Sequence, residues 1–279
     1  MKKEHGKGLI RKPAVSGTFY PKDREALSRQ IDELLDSVVV KNYGDPIGFV
    51  CPHAGYIYSG YTAAHSYKYL RGREYEKVII FAPSHYDSFH GIKTYAGEGF
   101  ETPLGVVETV GREDPRVKPS HLGFGIKKNP EHSLEVQLPF LQKVLKPGWK
   151  LVPLSMGFQN FENIELGRRI LFEYISKKNL IIISSDLSHY HPYDRAKTID
   201  GHFLDYIKTD KIQDLTDAHD NKVVEACGFG PMMSFFNALK NIYKNPIKPK
   251  VLDYRNSGDT AGDRNRVVGY TSIGAFWND

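Results

Sequence analysis

Cysteine is nearly missing from this chain: Cys51 and Cys227 are the two among 279 residues. A disulfide framework is therefore excluded, and a reducing cytoplasm is the expected compartment. Long apolar runs are missing too. No stretch approaches the roughly 20 residues that a membrane helix needs, so no membrane partner is expected. The basic start MKKEHGKGLIRKP is not followed by the apolar segment of a secretory signal. Charge of one sign is scarce: 38 basic against 33 acidic residues leave a net +5, too little to argue for nucleic acid. Internal repeats, low-complexity tracts and long linkers are absent. The glycine-rich segment Ser257 to Arg266 (SGDTAGDRNR) has neither the lysine of a phosphate loop nor the glycine spacing of a dinucleotide fingerprint. It reads as a flexible loop bordering a site.

What is present is an ordinary globular composition, 40% hydrophobic and 25% charged, enough to bury a large core. Chains of this length often form a single α/β unit. One domain over residues 1–279 is expected, with residues 1–12 as a flexible tail. Helices are expected at Asp23 to Ser37, Tyr61 to Leu70, Ser133 to Leu145, Asn163 to Ile175, 194–208 and 231–243. Short strands are expected at Ile47 to Val50, Lys77 to Phe81, Leu151 to Leu154, Leu180 to Ser184, Val251 to Tyr254 and Val267 to Phe276, with further β-structure over 91–110. Leu180 to Ser184 is apolar throughout, which marks a central strand. The alternation predicts an α/β fold: a mixed, mostly parallel sheet with helices on both faces.

Three of the expected strands run into small polar clusters: Val50 to Gly55 (VCPHAG), Ala82 to His85 (APSH) and Ser184 to His189 (SSDLSH). Ligands in open α/β sheets bind beyond the carboxyl ends of strands. A lone histidine at one strand end is more often a hydrogen-bonded surface residue than a ligand. Three such ends can build a site if the strands are neighbours, and imidazole suits iron, copper and zinc. His189 and His191 form an H-x-H pair, of which His189 is favoured for the site and His191 reads as structural. Cys227 precedes a helix that opens with Pro231. A thiol there has its thiolate favoured, although a free cysteine is more commonly a small buried hydrophobe. Cys51 fits a shared site or strand core equally well. Ser133 and Glu135 read as caps of their helix, with His132 facing either the pocket or the cap. His132, Tyr56 and Tyr190 are the expected substrate contacts.

With these residues assembled, the chain resembles the Memo family. The matching segments are RKPAVSGTFYP (Arg11 to Pro21), PHAGYIYSG (Pro52 to Gly60), APSHY (Ala82 to Tyr86), EHSLEVQLPFL (Glu131 to Leu141), SSDLSHY (Ser184 to Tyr190), CGFGP (Cys227 to Pro231) and GYTSIGAF (Gly269 to Phe276). That family is similar in fold to the class III extradiol ring-cleaving dioxygenases, which hold iron(II) on two histidines and a glutamate. The resemblance implies that His53, His85 and Cys227 bind one iron(II) or copper ion, zinc being possible. It places Asp186 and His189 beside the ion, with His189 as acid or base. Cys227 then replaces the carboxylate, and a thiolate is softer and more easily oxidised. Three functions are expected on these grounds. The first is a metal-dependent oxidoreductase, dioxygenase-like in fold, in which His189, oriented by Asp186, moves protons. The second is a non-catalytic module that binds a peptide or a small anionic or aromatic ligand in the same cleft, since eukaryotic members of the family bind phosphopeptides. The third is a zinc hydrolase. Microbial relatives are often encoded beside a radical-SAM protein, which implies partners in a shared pathway.

Overall fold

The computed structural model describes residues 9–110, 117–121, 123–124, 131–240, 242 and 247–278. In chain order the strands are β1 (Ile10–Arg11), β2 (Pro46–Cys51), β3 (Lys77–Pro83), β4 (Ile92–Tyr95), β5 (Gly99–Thr102), β6 (Gly105–Glu108), β7 (Lys118–Ser120), β8 (Lys150–Met156), β9 (Asn179–Ser184), β10 (His189–His191), β11 (Lys250–Asn256) and β12 (Val267–Phe276). The helices are α1 (Arg24–Ser37), α2 (Tyr56–Tyr67), α3 (Leu138–Val144), α4 (Phe161–Tyr174), α5 (Tyr193–Lys208), α6 (Leu215–Asp220), α7 (Phe229–Leu239) and α8 (Ser257–Thr260).

Nine of these strands form one mixed sheet, in the order β10-β12-β2-β9-β3-β8-β4-β7, with β11 also pairing to β12. Its centre, β2-β9-β3-β8, is parallel. Antiparallel strands close both flanks: β12 beside β2 and β4 beside β8. A smaller sheet joins β1, β5 and β6. The expected α/β fold is therefore present, with its parallel character concentrated in the middle.

Side chains along the central strands alternate between two cores, as the pleat requires. Ile79, Phe81, Ile181, Ile183, Val152 and Leu154 pack with Ile170, Met232 and Phe235 of α4 and α7. Val78, Ile80, Leu180, Ile182 and Phe49 pack on the opposite face with Ile31, Ala63, Tyr67 and Phe140 of α1, α2 and α3. Helices cover both faces, so these strands read as unbroken apolar runs. Truncating one of these buried aromatics to alanine would cost about 3–5 kcal/mol.

Several expectations need correction. Of the expected tail, residues 1–8 lie outside the described residues, while Ile10 and Arg11 are fixed in β1 against β5. Arg11 is 5% exposed and its guanidinium binds the Glu135 carboxylate at 2.5 Å. Glu135 also accepts from the backbone N–H groups of Ala14 and Val15 and from the Tyr20 hydroxyl. It is a buried anchor for the N-terminal segment, not a helix cap; stranding either charge would cost about 3–5 kcal/mol. The helix expected from Ser133 starts later, as a 3-10 turn at Glu135–Gln137 leading into α3. The one expected from Tyr61 starts earlier, at Tyr56, whose N–H donates to the Phe19 carbonyl at 2.8 Å. The expected loop after Asn256 begins as the short helix α8, with a capping box between Asn256 and Asp259. Part of the expected 231–243 helix, residues 241 and 243, lies outside the described residues. Among the described residues no helix is long and apolar enough to cross a membrane.

Candidate metal centre

The strands β2, β9 and β3 are consecutive neighbours in the parallel centre of the sheet. Their carboxyl ends therefore open side by side. His53 follows β2, His85 follows β3, and Asp186 and His189 follow β9. Cys227 arrives from elsewhere, on the turn that enters α7. Its N–H donates to the Asp186 carbonyl at 3.1 Å, and its Sγ accepts from the Asp186 N–H at 3.2 Å. Glycine at position 228 makes this approach possible: an added Cβ would lie 2.6 Å from the Ser184 carbonyl oxygen. Ligand atoms of His53, His85 and Cys227 lie within 4.8 Å of one another. Cys227 Sγ is 3.3 Å from His53 Nε2. Two donors bound tetrahedrally at about 2.0 and 2.3 Å sit about 3.5 Å apart, so this spacing is close to one edge of a coordination shell.

Each imidazole is gripped from behind. His85 Nδ1 is 3.0 Å from Glu131 Oε1, and the His85 backbone N–H donates to Glu131 Oε2 at 2.6 Å. Glu131, 4% exposed, also accepts from the N–H groups of His132 and Ser133. Glu131 joins His85 and His132 in a second trio of possible ligands. Four N–H groups already occupy its oxygens, which suits it to orienting a ligand more than to being one. His53 Nδ1 sits 2.9 Å from Ser184 Oγ. The His132 ring stacks on His85 at 5.2 Å between centroids and meets His53 edge-on at 5.6 Å.

The electrostatics of the pair differ. Burial, and then the neighbouring histidines 85, 132 and 189, hold the His53 pKa well below the ordinary 6.5, so its ring stays neutral. For His85, burial opposes the charge, but hydrogen bonds to Cys227 and Glu131 prevail and push it up to about 10. Burial alone would raise the Glu131 pKa; its bonds to His85 outweigh that and leave it at about 2. Burial raises the Asp186 carboxyl to about 6 against the opposing charge of His189 and the N–H of His53. The Cys227 thiol is likewise pushed up by burial, in opposition to its His85 contact. The thiolate expected from the helix start is thus not favoured in the metal-free protein: desolvation outweighs the helix end.

The expected site residues are placed as follows. His53, His85, His132, Asp186, His189 and Tyr190 all line one cleft of about 490 Å³. Cys227 does not line it; with His189 it lines a second opening of about 630 Å³. Tyr56 stays out of the cleft, because α2 begins there and turns the ring inward. It is 2% exposed and its hydroxyl donates to the Val136 carbonyl at 2.8 Å. Tyr58, two residues further along α2, lines the cleft with Phe19 and Tyr86. His189 is oriented by the Leu187 carbonyl, 2.8 Å from its Nδ1, and not by Asp186, which instead accepts from the His53 N–H at 2.8 Å. His191 turns away to Glu225, 3.0 Å distant, in keeping with its structural assignment. Cys51 is fully buried strand core.

Sequence reasoning does not single out Glu131 or Ser184, the partners of the two candidate histidine ligands. Glu131 carries a signal, a carboxylate beside His132 in a segment that begins with three polar residues, but its partner His85 is 46 positions away.

The chain is similar to known proteins along nearly its whole length. The model of the Memo-like protein family matches residues 11–274. A MEMO1 family protein of Aquifex aeolicus is 38% identical over 271 residues, covering 95% of this chain and 98% of its own. One from Methanosarcina mazei is 36% identical over 273 residues, with coverage of 95% and 98%, and one from Methanocaldococcus jannaschii is 35% identical over 292, with 94% and 98%. Since the match spans the strand ends, the Glu131 segment and the Cys227 turn together, the chain belongs to the Memo-like family.

Proposed function

We propose that this protein binds one redox-active metal ion, iron(II) or copper, on His53, His85 and Cys227, and acts as a metal-dependent oxidoreductase on a small organic substrate taken into the 490 Å³ cleft. The observation that carries this reading is the donor set itself. Two imidazoles and a sulfur meet within 4.8 Å, at the end of the sheet where α/β folds bind ligands. Each imidazole is backed by a polar partner, the arrangement typical of metal-ligating histidines. Two imidazoles and one thiolate suit copper, iron and zinc better than hard, oxygen-seeking cations. Three protein donors leave positions open to exogenous ligands.

Bound there, the ion would supply electron transfer and charge stabilisation for an oxygen or nitrogen donor of the substrate. The chain's own residues supply the rest. Phe19, Tyr58, Tyr86 and Tyr190 line the cleft and offer apolar faces to the substrate. His189 lines the same cleft with its Nδ1 tied to the Leu187 carbonyl. That bond leaves Nε2 to accept or return a substrate proton. Asp186 holds the His53 backbone and the Cys227 sulfur in place through its side chain and its N–H.

Metal analysis of protein purified without chelators, with oxygen consumption followed on a panel of phenols and catechols, tests this reading. Stoichiometric iron or copper with oxygen uptake supports it. Stoichiometric zinc without oxygen uptake would favour hydrolysis through a metal-bound water, and a metal-free protein that binds ligands in the cleft would favour a recognition module.

A further inference from the structure

Behind His53 runs a buried polar chain of which the metal reading uses only the first member, Ser184. Ser184, Gln137, Tyr67 and Cys51 are each at most 1% exposed. The Tyr67 hydroxyl donates to Gln137 Oε1 at 2.5 Å. Gln137 Nε2 donates to Ser184 Oγ at 2.8 Å and to the Pro52 carbonyl at 3.0 Å. The Ser184 hydroxyl donates to the Ser133 carbonyl, and its oxygen lies 2.9 Å from His53 Nδ1. Cys51 closes the chain as a hydrogen-bond neighbour of Tyr67.

Two backbone carbonyls decide which atom of this chain carries each proton. A carbonyl only accepts. The Pro52 carbonyl therefore requires the amide nitrogen of Gln137, not its oxygen, and this leaves Oε1 facing the Tyr67 hydroxyl. The Ser133 carbonyl requires the single hydrogen of Ser184. With that hydrogen committed, Ser184 Oγ offers His53 a lone pair and nothing else. His53 must then donate from Nδ1, and in the neutral ring the lone pair falls on Nε2, which is the atom 3.3 Å from Cys227 Sγ. The opposite tautomer would set an N–H against the metal position and leave Nδ1 and Ser184 Oγ lone pair to lone pair in a buried site.

We infer that Ser184 and Gln137 are positioning residues that lock His53 in its Nδ1–H tautomer, and so keep Nε2 ready to ligate before any metal arrives. The lock is neutral at every member, so it holds the proton without attracting a charge. It also explains the otherwise unassigned polar side chains of Gln137 and Tyr67 in an apolar layer. Its value to the protein rests on the metal reading; its existence does not.

Nitrogen NMR of 15N-histidine-labelled, metal-free protein tests this directly, because the two ring nitrogens report which of them is protonated. His53 is assigned by comparison with His53→Asn. The expected wild-type result at pH 7.5 is Nδ1–H. In Ser184→Ala the ring loses its acceptor, and the Nε2–H form gains population. Ser184→Thr, which keeps the hydroxyl, restores Nδ1–H. Gln137→Met leaves the Pro52 carbonyl unpaired and shifts the same equilibrium less. Cobalt(II) titration should show affinity falling about 10–100-fold in Ser184→Ala, the usual effect of losing a partner behind a ligand, with recovery in Ser184→Thr. A wild-type His53 protonated at Nε2 overturns the inference even if no variant folds, as does an unchanged tautomer in a folded Ser184→Ala. An Nδ1–H ring in a protein that binds no metal would leave the lock standing and remove the metal reading instead.

Discussion

The two histidine arms of the site look alike in sequence, each a histidine just past a central strand, yet they are built on opposite principles. His53 is 2% exposed and rests on a neutral hydroxyl, Ser184. The His85 side chain is 26% exposed at the cleft and rests on a carboxylate, Glu131. Burial drives the first toward the neutral form, and its partners drive the second toward the charged form. A candidate metal-binding trio with one neutral and one charged histidine follows from this contrast. On the metal reading, the buried arm would offer a fixed lone pair. The open arm, whose basicity a carboxylate raises, would bind an ion more strongly but would first have to release a proton.

The largest effect is expected where both arms meet, at the thiol. Cys227→Ser should lower affinity for copper, cobalt or zinc more than about 100-fold, beyond the ~10–100-fold expected for a partner behind a ligand. Cys51→Ser, with the hydroxyl in a closed core, should change it little. Equal metal content in the two variants, measured side by side, would remove Cys227 from the shell.

The next effect isolates the His85 arm. Glu131→Gln keeps the shape and removes the charge. Metal affinity should fall about 10–100-fold, and the His85 ring should titrate well below its present value of about 10. Histidine NMR across pH 5 to 10 reads this out. A His85 titration unmoved by Glu131→Gln would mean that the contrast between the arms has another source.

A smaller effect appears in the stability of the metal-free protein. The folded His53 pKa lies below the ordinary 6.5. As pH falls through 6.5, the unfolded chain therefore takes up a proton that the folded chain refuses, and stability drops toward acid. His85 behaves in reverse. Its folded value is raised to about 10, so its contribution is complete below 6.5 and is lost as pH climbs from 6.5 toward 10. Urea midpoints of metal-free protein should fall at both ends. His53→Gln should flatten the acid limb alone, and His85→Gln the alkaline limb alone. If both variants flatten the same limb, the two arms are not opposed.

The sequence showed one arm more fully than the other. The strands β2, β3 and β9 are legible as unbroken apolar runs because both faces of the sheet are covered, so His53, His85 and Asp186 could be set at strand ends. Their adjacency in space rests on the order β2-β9-β3, which no local pattern encodes. Cys227 was identifiable by family resemblance; by itself it reads as a small buried residue. The segment from Glu131 to Gln137 misled most. Ser133 and Glu135 suit the caps of a helix, and only long-range partners reveal the real use of each polar residue: Glu131 for His85, Ser133 and Gln137 for Ser184, Glu135 for Arg11. Tyr56 failed for a nearer reason. It follows His53 closely, but the bond from its N–H to Phe19 starts the helix there and turns the ring into the core.

The smallest effect concerns the two thiols, and it extends the contrast of open and closed from the histidines to the sulfurs. Cys227 is partly exposed and lines the second opening, whereas Cys51 has no exposed surface. Burial, against weaker help from Ser66 and Tyr67, raises the Cys51 pKa to about 12, and its thiolate is negligible at pH 8. The Cys227 thiol is also raised, so neither should react quickly. The difference is then one of access more than of acidity. In metal-free protein at pH 8, iodoacetamide should label Cys227 slowly and leave Cys51 unmodified until the chain unfolds. Limited peroxide should add oxygen at the same sulfur. A bound metal should protect Cys227, since the ion would take up the lone pair that attacks the reagent. Mass spectrometry of peptides from treated protein, with and without added zinc, locates the label. Labelling of Cys51 first would mean that the core around Tyr67 opens more readily than the site. Loss of both thiols with no added oxygen, the two thiol hydrogens leaving as peroxide is reduced to water, would mean a Cys51–Cys227 disulfide, which the separate surroundings of the two sulfurs argue against.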